Sequence, residues 1–147
     1  MRFITAYHRI NQQLARKPYP LPRIRETTQQ LEGFQYVIAL DLKMGYYTIR
    51  LSPSGQDMMT IVTEFGKSIY NRFPMGMCAS GDVFQAKVDN LLGNIKGVKT
   101  CIGDILVLIK DSFEKNIGRP KIISGKLRAV GLKVNEPNCS FGLKDIP

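Results

Sequence analysis

Residues 36–42, YVIALDL, form an almost unbroken apolar run of strand length that ends around Asp41. A run of this kind predicts a strand covered on both faces. Two further strands are predicted at TIVTE (60–64) and SIYNRF (68–73), joined by a tight hairpin at Phe65-Gly66-Lys67. From Ser80 to Leu92, Val83, Phe84, Val88, Leu91 and Leu92 recur at helical spacing. A second hairpin is predicted from Val98–Ile102 and Ile105–Ile109, turning at Gly103-Asp104. Ser112 to Val130 reads as a second helix with Ser112 as N-cap and Phe113, Ile117, Leu127 and Val130 on one stripe, although Gly118 and Pro120 interrupt it. GLKV (131–134) supplies a helix stop and a short strand. Before residue 36 the chain is polar; the three prolines of KPYPLP (17–22) favour an extended segment, followed by a short helix at Arg23–Leu31.

This order predicts an α+β fold, an antiparallel-rich sheet with helices packed on one face. Two carboxylates then sit where apolar residues are expected. Asp104 interrupts TCIGDILVLI, and Asp41 closes the buried run. A lone charge in an apolar strand costs several kcal/mol unless it is compensated. Asp104 is open to two readings, a plain turn residue or a carboxylate held toward a metal ion. The fold allows Asp41 and Asp104 to meet on neighbouring strands, where they repel unless a cation such as Mg²⁺ bridges them.

Composition narrows the partners. The 147 residues make one domain at most, and 44% apolar content is that of a globular chain. Twenty-one Lys and Arg against 12 acidic residues give a charge of +9, which favours a polyanion such as nucleic acid. Cys78, Cys101 and Cys139 form no CxxC pair, which argues against a zinc site or disulfide framework and for a reducing compartment. No long apolar leader opens the chain, and ILVLI is far too short to cross a bilayer. The expectation is an intracellular protein, cytoplasmic or nuclear, with no membrane partner.

Five stretches, YPLPRI (19–24), LDLKMGYYTIRL (40–51), FPMGMCASGDVFQ (73–85), the TCIGDILVLIK hairpin and GLKVN..NCSF (131–141), together resemble the reverse transcriptases of gypsy-type LTR retrotransposons in order and spacing. The resemblance implies a palm subdomain with a ferredoxin-like, RRM-like core over residues 36–147, and part of the fingers over residues 1–35. It implies nucleotide addition to a primer 3′ end by two Mg²⁺ or Mn²⁺ ions, with an RNA/DNA primer-template and dNTP as partners. On this reading Asp41 and Asp104 are catalytic and bind metal, with the Leu42 carbonyl as an added ligand. Tyr46 matches the aromatic residue that excludes a 2′-hydroxyl, Met75 and Gly76 match the strand lining the incoming nucleotide, and Arg2 matches the fingers arginine on its phosphates. Core packing is the competing reading of Tyr46 and Met75 taken alone.

The sequence departs from the family pattern where the chemistry is densest. The hairpin motif Tyr-x-Asp-Asp reads Cys101, Ile102, Gly103, Asp104, so the tyrosine and the aspartate expected to bridge both metals are missing. Ala6 and His8 stand where the fingers pattern has aspartate and arginine. The match stops at Pro147, before the thumb, connection and RNase H regions. Weak or absent polymerase activity is therefore expected, and the alternative is an inactive nucleic-acid-binding fragment or a decayed element remnant.

Overall fold

The computed structural model describes residues 4–20, 33–110 and 118–143. Its centre is strand β1 (Tyr36–Lys43), which pairs antiparallel with β5 (Asp104–Ile109) on one edge. On its other edge β1 pairs with β6 (Lys133–Val134) and, across a bulge, with β7 (Ser140–Leu143). The hairpin partner β4 (Val98–Cys101) completes a five-stranded sheet in the order β4-β5-β1-β6, with β7 also on β1. Helix α3 (Ser80–Leu92) links β1 to β4, and α4 (Gly118–Ala129) lies between β5 and β6. This β-α-β-β-α-β order is the split ferredoxin-like arrangement expected from the sequence. Among the described residues, no helix is long and apolar enough to cross a membrane.

Strand alternation sorts the core. Ile38, Leu40 and Leu42 of β1, with Ile105, Val107 and Ile109 of β5, pack against Phe84, Val88 and Leu92 of α3 and Ile123 and Leu127 of α4. The other face of β1 carries a small cluster at its start, Val37 and Leu108 with Phe34, Leu106 and Leu143. Apolar residues therefore run through both faces at Tyr36–Ile38, and the face opposite α3 and α4 carries Asp41.

Helix α3 spans the residues its periodicity predicts, and Phe84, Val88 and Leu92 form its buried stripe. Asp82, in its first turn, is buried and bound by Arg16, through Nε at 2.6 Å and Nη2 at 3.1 Å, and by the Tyr19 amide at 3.1 Å. The helix after the hairpin differs from expectation. It is described over Gly118–Ala129, with Pro120 inside it. Its core contacts are Ile123 and Leu127, whereas Val130 is half exposed beyond its end. Ser112, Phe113 and Ile117 lie outside the described residues, as does the helix expected at Arg23–Leu31.

The stop of α4 follows from one glycine. Gly131 takes φ +75, the Leu132 amide donates back to Leu127 at 2.9 Å, and the Gly131 amide donates to Arg128 at 3.1 Å. This paired closure turns Leu132 into the core beside Leu127 and launches β6 along β1.

Two short helices lie outside these expectations, and one hairpin turn is corrected. His8–Gln13 form the first helix, α1, ahead of the proline segment. A second short helix, α2 (Pro53–Met58), is capped by the Ser52 hydroxyl accepting from the Gly55 amide, with Pro53 at its first position. The first hairpin consists of β2 (Thr60–Thr63) and β3 (Gly66–Ile69). Thr63 pairs with Gly66, so its turn is Glu64-Phe65 and Gly66 already belongs to the ladder.

Candidate active site

Asp41 and Asp104 are direct cross-strand partners at the open end of β1 and β5. The Asp41 carbonyl accepts from the Asn135 amide on the β6 side, so Asp41 turns its backbone groups away from β5. The two aspartates thus form a non-hydrogen-bonded pair, the closer kind, with Cα atoms about 4.5 Å apart and both side chains on one face. That face is the one opposite α3 and α4, because Leu40, Leu42 and Ile105 pack on those helices.

Leu42 is adjacent, and its amide donates to the Gly103 carbonyl at 2.8 Å. A strand residue directs its N–H and C=O to the same edge, so the Leu42 carbonyl also faces the hairpin tip. Asp41, Asp104 and this carbonyl form a set of hard oxygen donors suited to Mg²⁺ or Mn²⁺, with water completing the shell. They fit one such ion. Among the described residues, no group of three or more His, Cys, Asp or Glu side chains gathers for a metal. Gly103 adds no carboxylate, and a Cβ built on it meets nothing within 4 Å.

The electrostatics match this geometry. Burial, and then the neighbouring Asp41 charge, push the Asp104 carboxyl above the usual range. Cys101, the cross-strand partner of Asp104 on β4, has its thiol pushed up by burial and by the charges of Asp104 and Asp89. Asp41 is held differently. The side-chain amides of Asn135 and Asn138 both donate to its Oδ2, at 2.7 Å and 2.8 Å.

The hairpin tip is a tight, strained turn. Ile102 takes φ +50, a rare region for a β-branched residue, and the Gly103 amide closes back on the Cys101 carbonyl at 2.7 Å. Gln85, fully buried on α3, accepts the Ile102 amide at 2.6 Å and donates to the Thr100 carbonyl at 3.1 Å and the Asp89 carboxylate at 2.9 Å. Thr100 also donates to Asp89. Helix α3 therefore fixes the backbone that carries Asp104.

The remaining predicted residues are spread around this pair. Tyr46 lies in a 3₁₀ turn (Gly45–Thr48) entered through Met44 at φ +51, and its ring meets Phe84 edge-on with centroids 5.2 Å apart. Its ring thus also packs against the core. Met75 and Gly76 form a turn, in place of the strand expected for them. Gly76 takes φ +100 beside the Thr5 carbonyl, and its own carbonyl accepts from Asn11 at 2.9 Å. The Tyr47 hydroxyl is hydrogen-bonded to the Met75 backbone, which ties this turn to the one bearing Tyr46. Arg2 lies outside the described residues. Sequence reasoning missed the roles of Gln85, Asn135 and Asn138, although all three stand inside the motifs FPMGMCASGDVFQ and GLKVN..NCSF.

Known proteins share this fold. The foamy viral protease-reverse transcriptase solved in complex with double-stranded DNA superposes with a TM-score of 0.90 at 19% identity, covering 99% of this chain and 25% of that one. The same enzyme in complex with RNA/DNA hybrid gives 0.84 at 19% identity, over 92% of this chain and 18% of that one. At such identities the likeness is one of fold. In sequence, the chain is 27% identical to the retrovirus-related Pol polyprotein from transposon 412 of Drosophila melanogaster, over 99% of its length and 12% of the polyprotein. It is 25% identical to the transposon Tf2-7 polyprotein of Schizosaccharomyces pombe, over 96% of its length and 11% of that protein. The chain thus spans about an eighth or less of the curated relatives it matches. The family model described as reverse transcriptase (RNA-dependent DNA polymerase) matches residues 1–145, and the chain belongs to that family.

Proposed function

We propose that this chain is the palm, residues 36–147, with part of the fingers, residues 1–35, of a polymerase that extends a primer 3′ end on an RNA template. The observation that carries this reading is the opposition of Asp41 and Asp104 as cross-strand partners at the open end of β1 and β5. Asp41, Asp104 and the Leu42 carbonyl would hold Mg²⁺ or Mn²⁺, which supplies charge neutralisation for the 3′-hydroxyl and the triphosphate of a dNTP. The protein's own part is to keep two carboxylates close in a rigid sheet, at the electrostatic cost seen in Asp104. Tyr46, Met75, Gly76 and Arg2 are proposed to surround the nucleotide. The gypsy-type assignment rests on the order of the five motifs.

Activity is proposed to be weak or absent. Gly103 leaves two charges where the family motif has three, and the donor set fits one cation rather than two. A second reading, nucleic-acid binding without chemistry, is favoured by one observation. Lys43 and Lys133 are direct cross-strand partners, both exposed, at the same end of β1 as Asp41. Like charges set opposite one another destabilise a sheet, and a bound polyanion relieves that repulsion. The nucleic acids held by the foamy viral enzymes are partners of that kind.

Primer extension on an RNA template with Mg²⁺ or Mn²⁺ separates the readings. The chain is compared with a Cys101→Tyr, Gly103→Asp variant, and with that variant carrying Asp41→Asn. Extension by the double variant only, abolished by Asp41→Asn, is the expected result. Silence in all three, with salt-sensitive nucleic-acid binding indifferent to Asp41→Asn, would establish the second reading instead.

A further inference from the structure

We infer that Asn135 and Asn138 are positioning residues that lock the Asp41 carboxylate with Oδ2 closed and Oδ1 open, so that Asp41 offers a cation one oxygen. The cation part rests on the reading given above; the locking does not.

The inference follows from counting lone pairs. A carboxylate oxygen has two acceptor sites, and Oδ2 of Asp41 receives two amide donors at 2.7 Å and 2.8 Å. Both sites are filled, which leaves Oδ1 alone for an outside ligand. A chelating Asp41, gripping one ion with both oxygens, is thereby closed off. The donors are uncharged, so they orient the carboxylate without placing a positive charge beside it.

The two amides are delivered by a specific local fold. Gly131 ends α4, Leu132 anchors in the core, and Lys133–Val134 pair with β1. Asn135 then donates its backbone amide to the Asp41 carbonyl at 2.8 Å. A 3₁₀ turn, Glu136–Asn138, follows and brings the second asparagine back to the same oxygen. The turn closes through the Asn138 amide on the Asn135 carbonyl at 3.0 Å. The Asn138 side chain is thus not needed for that closure, and a role confined to local capping leaves its bond to Asp41 unexplained.

The test is NMR of the Asp41 side chain in the metal-free protein, with Mn²⁺ binding followed by electron paramagnetic resonance, in the native chain and in Asn135→Ala and Asn138→Ala. Couplings across the hydrogen bonds from the Asn135 and Asn138 side-chain amides to the Asp41 carboxylate carbon are expected natively, and in each variant the coupling from the remaining amide is expected to weaken as the carboxylate turns about χ2. Mn²⁺ is expected to bind one per chain and to weaken about tenfold in each variant, as for other residues that orient a ligand. Asn138 is exposed and its backbone bonds stay, so Asn138→Ala keeps the fold and the measurement remains decisive if Asn135→Ala does not fold. An unchanged Asn135-to-Asp41 coupling in Asn138→Ala overturns the inference, whatever happens to melting temperature or Mn²⁺. A weakened coupling in a protein that binds no Mn²⁺ natively supports the locking and removes the cation reading.

Discussion

The side-chain carbonyl of Gln85 accepts the Ile102 amide at 2.6 Å, so a fully buried helix residue holds the strained tip of the hairpin that presents Asp104. Replacing Gln85 by Leu strands that amide and the Thr100 carbonyl, while Thr100 and Asp89 keep their bond to each other. A buried group left unpaired costs about 1–3 kcal/mol, and a loss of about 2–3 kcal/mol is expected here. Urea unfolding measures it; a loss under about 0.5 kcal/mol, within the range of ordinary surface changes, would show that the turn holds itself.

Asp104 carries a carboxyl pushed above its usual value of 3.8 by burial and by Asp41. The folded chain therefore binds this proton more tightly than the unfolded one. Its contribution to stability is present below 3.8 and is lost as pH rises through the raised folded value. Asp104→Asn should flatten that part of the metal-free melting profile and stabilise the protein at neutral pH, by less than about 1 kcal/mol because the group is partly solvated.

Asp82 has the opposite sign. Its side-chain bonds to Arg16, and then the Tyr19 amide, hold its carboxyl below 3.8. The stability it lends is present above 3.8 and disappears as pH falls through the lowered folded value. Arg16→Met should weaken the tie between the initial segment and α3, and shrink the acid limb of the melting curve below 3.8. Melting temperatures across the acid range check this; an unchanged acid limb would place the pH dependence elsewhere.

Gly103→Asp should fold, because nothing lies within 4 Å of the added Cβ. A third carboxylate beside Asp41 and Asp104 lowers the metal-free melting temperature. Mg²⁺ then restores it, with Mn²⁺ affinity at least about tenfold above the native chain, or about 1.4 kcal/mol. A variant as stable as the native chain without metal, and indifferent to Mg²⁺, would mean that the new side chain points away from the pair.

Much of this was legible in the sequence because it repeats. The stripe Phe84, Val88, Leu92 places α3 to the residue, and the run of apolar residues around Asp41 and Asp104 leads to the neighbouring strands on which the two meet. What was missed is local and aperiodic. Helix α2 depends on one serine cap and one proline against a glycine in its middle, a balance that periodicity does not weigh. Phe65-Gly66-Lys67 carries the conventional turn glycine, yet pairing of Thr63 with Gly66 moves the turn back by a residue. Asn135 and Asn138 act through hydrogen bonds across more than ninety residues, to a carboxylate whose location only the assembled sheet defines. Pro120 reads as a helix breaker in the linear chain and yet lies within the described residues of α4.

The open space around Gly103 bears on the history of such a chain. Folding draws on the core between the sheet and its two helices and on the Gln85 network, and neither touches a side chain at position 103. A mutation there escapes every quality-control step that senses unfolded protein, so only selection on the chemistry itself retains an acid at that position. A lineage that no longer needs the reaction can shed the residue in one step and keep a well-folded domain indefinitely.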